Sequence, residues 1–75
     1  MFKEKITKHL KEKGINVIRT EQEGDTESVV FHISKEDNKK IEDIKSEMES
    51  KFDVAVLLSD MGGFNVVIVE SNDLE

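Results

Sequence analysis

Cysteine, proline, tryptophan and tyrosine are absent from this 75-residue chain, and aromatic residues amount to 5%. Without cysteine there is no disulfide framework, no thiol nucleophile and no cysteine-based zinc site. A small chain free of disulfides fits a reducing, cytoplasmic setting. No apolar run of roughly 18 residues occurs, so no segment reads as a membrane span. The stretch MFKEKITKHLKEKG carries charge every two or three residues and lacks a signal-peptide core. One small core of this size yields only about 3–5 kcal/mol, and with cysteine excluded as a staple, association with a partner is the natural supplement.

What is present is patterned. Residues 2–13 place Phe2, Ile6, His9 and Leu10 on one helical stripe, with Lys3, Lys5, Lys8 and Lys11 opposite. Gly14 suits a helix C′ position. Ile15 to Thr20 and Glu27 to Ser34 read as strands around an acidic turn at Gly24-Asp25. Ser34 and Asp37 resemble a capping box opening a helix from about Lys35 to Lys51, with Ile41, Ile44, Met48 and Phe52 as its apolar stripe. Asp53 to Leu58 and Phe64 to Glu70 read as two further strands around the turn SDMGG.

The order αββαββ looks like a tandem repeat of one αββ unit, at about residues 2–34 and 35–70. A shift of 37 aligns Val17 with Val54 and Val29 with Val66, whereas the helices align at 38. The expected fold is α+β, a four-stranded, mainly antiparallel sheet with two helices on one face. This is a permuted ferredoxin-like plait with strand order 1-2-4-3. Residues 1–71 form one domain and 72–75 a polar tail, in which Leu74-Glu75 is compatible with a cloning remnant.

Strand alternation then sorts the side chains. The heavier set is Ile15, Val17, Val29, Phe31, Ile33, Val54, Val56, Leu58, Phe64, Val66 and Ile68, and it is placed under the helices. The opposite face carries Asn16, Ile18, Thr20, Ser28, Val30, His32, Asp53, Ala55, Leu57, Asn65, Val67 and Val69. Its apolar centre is larger than a solvated monomer usually exposes, so it reads as an interaction face. The residues assigned to that face are Ile18, Val30, His32, Ala55, Leu57, Val67 and Val69. The simplest partner is a second copy packed sheet on sheet.

Motifs for chemistry are sparse. His9 and His32 lack metal-ligand spacing, so no metal is expected. Gly62-Gly63 lies in no phosphate-loop pattern and reads as a hairpin turn. The serines lack a nucleophile elbow, and no carboxylate pair is placed by a motif. No enzyme activity and no cofactor are assigned. With Phe31 and Phe64 expected under the helices, the sheet lacks the exposed aromatics of an RNA-binding plait.

Charge is uneven. The net charge is −6, yet residues 1–14 hold five Lys against two Glu, and residues 52–75 hold five acids without Lys or Arg. Glu21, Glu23, Asp25 and Glu27 cluster at the first hairpin. The expected function is a small cytoplasmic, non-enzymatic interaction or regulatory module, homodimeric or bound to another protein, without nucleic acid or membrane. The alternatives are an acidic inhibitor that occupies a basic or nucleic-acid-binding protein, and a small-ligand-sensing domain.

Overall fold

The computed structural model describes residues 2–22 and 27–72. The expected Gly24-Asp25 turn, the acids Glu23 and Asp25, and the end of the tail (73–75) lie outside the described residues. Helix α1 (Phe2–Glu12) is followed by β1 (Val17–Gln22) and β2 (Ser28–Ser34). A 3-10 turn (Lys35–Asp37), α2 (Asn38–Phe52), β3 (Val54–Asp60) and β4 (Phe64–Ser71) complete the order. The four strands form one antiparallel sheet in the order β1-β2-β4-β3. The chain is therefore α+β with the expected strand order.

Helix α1 ends where Gly14 takes φ +78°. The Ile15 N–H donates to Leu10 O and the Gly14 N–H to Lys11 O, each at 3.0 Å, which is the paired bonding of a Schellman end. Helix α2 begins later than its sequence suggests. Ser34 Oγ accepts from the Glu36 N–H at 3.4 Å, but Asp37 does not return the bond as a capping box would. Its carboxylate turns across the fold to the Asn16 N–H at 2.7 Å. The first turn consequently tightens to 3-10 geometry before α2 starts. At the other end Asp53, expected in the strand, is a left-handed cap with φ 54°, and its N–H reaches Glu49 O. Short polar side chains tolerate this region better than most.

The β3–β4 turn is shorter than SDMGG, because β3 runs on to Asp60. Met61 N–H donates to Phe64 O at 3.0 Å, and Asp60 Oδ1 accepts from the Gly62 N–H at 2.8 Å. Gly62 supplies the φ of +96° that this turn requires.

One core is formed. Ile6 and Leu10 of α1 and Ile41 and Met48 of α2 join Val29, Phe31, Ile33, Val54, Val56, Val67 and Val69 of the sheet. The register shows that these sheet residues share a face: Val29 opposes Val69, Phe31 opposes Val67, and Val56 opposes Val69. Both helices therefore cover the same side. α1 lies over β1 and α2 over β3, and the helices meet where His9 stands edge-on to Phe52, centroids 5.1 Å apart.

This register corrects the assignment of β4. Val67 and Val69, expected on the open face, are 0% exposed in the core. Phe64, Val66 and Ile68, expected under the helices, stand on the other side. The two faces of β4 are almost equally apolar, so composition cannot choose between them. Pairing with β2 and β3 decides, and a one-residue change of phase exchanges every side chain. Asn65 anchors the observed phase, since its buried Nδ2 donates to Asn38 Oδ1 at 2.9 Å. A second correction concerns β1. The register slips between Val17 and Arg19, so Ile18 and Arg19 are both exposed, and Thr20 opposes Phe31 on the covered side.

Candidate functional site

The uncovered face of the sheet is built from alternate residues of β2, β3 and β4, with β1 at its edge. β2 contributes Ser28, Val30 and His32; β3 contributes Ala55 and Leu57; β4 contributes Phe64, Val66, Ile68 and Glu70. Leu57 opposes Ile68 and Val30 opposes Ile68, so these three side chains form a continuous row across three strands. Val66 lies opposite His32 and adjoins that row. Leu57 is 57% exposed and Ile18, in the β1 bulge, is 60% exposed. Val30, Ala55, Phe64, Val66 and Ile68 are half-buried, although no helix covers them. Of the residues that alternation assigned to this face, Ile18, Val30, His32, Ala55 and Leu57 stand on it. Val67 and Val69 do not, and Phe64, Val66 and Ile68 were missed. The signal that would have found them is the helical partner of Asn65, a tertiary contact absent from any local pattern.

The polar groups of the face are tied to one another. His32 stacks on Phe64, with centroids 5.0 Å apart and planes 22° from parallel. His32 Nε2 lies 3.1 Å from Glu21 Oε2, and Arg19 Nε lies 3.3 Å from the same oxygen. This triad from β1 and β2 sums to zero charge when the imidazole is neutral. Farther along, Ser28 Oγ donates to Glu70 Oε1 at 3.5 Å. Ser28 and His32 are four strand positions apart, about 13 Å, so they do not form a nucleophile–base pair.

The helical side carries a different chemistry. His9 is buried, and its Nε2 lies 3.3 Å from Glu47 Oε1 without hydrogen-bond geometry. Lys13 binds the same carboxylate at 3.3 Å. That hydrogen bond and the Lys13 charge hold the Glu47 carboxyl below its ordinary range. Beside it, a groove of about 320 Å³ is lined by Lys5, Lys8, His9, Glu12, Lys51 and Phe52. The ammonium groups of Lys5 and Lys51 lie over the Phe52 ring, 5.8 and 5.3 Å from its centroid. These cations cover the faces of an aromatic ring. Among the described residues no three His, Asp or Glu side chains gather as a metal-binding group. Nor, among them, is any helix long and apolar enough to cross a membrane.

No family model, no curated protein and no solved structure matches this chain.

Proposed function

We propose that this chain is a small, non-enzymatic interaction or regulatory module of the cytoplasm that acts as a homodimer through the open face of its sheet. One observation carries the reading: both helices lie on one side, leaving Val30, Leu57, Val66 and Ile68 as an apolar row on the other. A second copy is the simplest occupant of this face, because a sheet can pack directly on a sheet. Each chain bears −6 and repels its own kind. At one end of the open face Arg19 and Glu21 neutralise each other, and at the other Glu70 accepts from Ser28. A nucleic acid would find Phe64 available but its neighbouring cation Arg19 already engaged.

Within this proposal the fold is read as a permuted ferredoxin-like plait made of two αββ units. The observed burial supports a shift of 38 for the second strands, which pairs Val29 with Val67 and Phe31 with Val69, all buried. The first strands keep 37, pairing Val17 with Val54.

Sedimentation equilibrium across the micromolar range tests the function. The wild type is expected to be a dimer, and Leu57→Lys a folded monomer with affinity at least about tenfold weaker. A wild type that stays monomeric throughout, or a Leu57→Lys variant that dimerises unchanged, contradicts the proposal.

A further inference from the structure

Most polar groups flanking a sheet interface lie at its rim, but His32 stands within the face. It is only 20% exposed even in the isolated chain. Its ring is held from one side by Phe64 and from the other by Glu21. The groups facing it are few. From β1 come Glu21 and Arg19, the latter its register partner. From β4 come Phe64 and Val66, which do not titrate. Its neighbours along β2 on the same face are Val30 and Ser34.

We propose that His32 makes association of the two copies proton-linked, so that the dimer forms with the imidazole neutral and dissociates as it protonates. This rests on the reading of the open face as a self-interface. With His32 neutral, its Nε2–H donates to Glu21, Glu21 is paired with Arg19, and the triad enters the interface with zero net charge. Protonation leaves the triad at +1. In the free chain water solvates that charge through the exposed side of the face. In the dimer the second sheet removes the water, and the charge is costly. The separated chains therefore bind more protons than the dimer does, and by linkage acid favours the separated chains. Imidazoles in water titrate near pH 6.5. Each dimer holds two copies of His32, so at its steepest the Kd rises by as much as about a hundredfold per pH unit.

The sign separates this effect from the general charge of the chain. The pI is about 4.9, so acidification brings the chains toward neutrality and lessens their repulsion. That change alone strengthens association in acid, opposite to the His32 effect.

Sedimentation equilibrium of the wild type and of His32→Gln, from pH 8 to pH 5.5, tests the inference. Glutamine retains an N–H donor for Glu21 and cannot titrate. The wild-type Kd should rise at least tenfold on acidification, while the His32→Gln dimer should be unchanged or tighter in acid. Circular dichroism at each pH checks that both chains stay folded. A wild-type dimer whose Kd is flat or falls in acid overturns the proton linkage and leaves the homodimer standing. So does a His32→Gln dimer that weakens as the wild type does, which assigns the linkage to another group. A wild type that is monomeric at every pH overturns the homodimer, and the linkage with it.

Discussion

Asp37 shows how much a single side chain can hold in a domain this small. It is buried, with its carboxylate on the Asn16 N–H at 2.7 Å and 3.4 Å from Lys40 Nζ. Lys40 in turn donates to Gly14 O at 2.9 Å. The end of α1, the entry to β1 and the start of α2 are thus joined through two side chains. Replacing Asp37 with Ala removes the acceptor of a part-buried backbone N–H, which costs about 1–3 kcal/mol. Urea unfolding of Asp37→Ala should show that loss, with an unchanged slope against denaturant. A variant as stable as the wild type would show that water replaces the carboxylate. Asp37 stood out in the sequence as a helix-start residue, and it does sit at that start. Its actual partner, 21 positions away, is set by tertiary packing and has no local signature.

At the scale of elements, helices and strands differ in how plainly they declare their faces. Ile6 and Leu10 in α1 and Ile41 and Met48 in α2 repeat at helical spacing among charged residues, and all four are buried. The stripe is legible because everything beside it is polar. In β2 the set Val29, Phe31 and Ile33 outweighs Ser28, Val30 and His32, and the buried set follows. In β4 neither set outweighs the other by enough, and the heavier one faces out. The β1 bulge defeats alternation for a different reason, because an extra residue breaks the period itself. The interaction face was therefore legible in β2 and β3 and misphased in β4. A chain without cysteine offers a clean test of that phase. In Val66→Cys the thiol should react with a maleimide quickly when the chain is dilute. In Val67→Cys it should react only through opening of the core, at least about a hundredfold more slowly. Equal rates would place both residues at a frayed strand and undo the assignment. A lysine at Val67 would bury a charge under both helices and unfold the chain, whereas at Leu57 it stands in water.

For the whole molecule the arrangement is a two-layer structure with one layer left uncovered. Helices α1 and α2 seal one side of the sheet, and the other retains an apolar row from β2 through β4 to β3. Covering that row with a second copy would add apolar burial to a core that is small at this length. Charge is divided between the layers in the same sense, with the lysines of α1 turned to solvent on the helical side and the charges beside His32 paired on the sheet side. The proposed dimer brings two open faces together. Isotope-filtered NMR on an equimolar mixture of labelled and unlabelled chains tests it most directly, because only contacts between copies survive the filter. Intermolecular NOEs are predicted among the methyl groups of Val30, Leu57, Val66 and Ile68, with none to the buried Val67 or to α1. A mixture whose only intermolecular NOEs come from the helical layer, or one that shows none where the chain is fully associated, would contradict a sheet-to-sheet dimer.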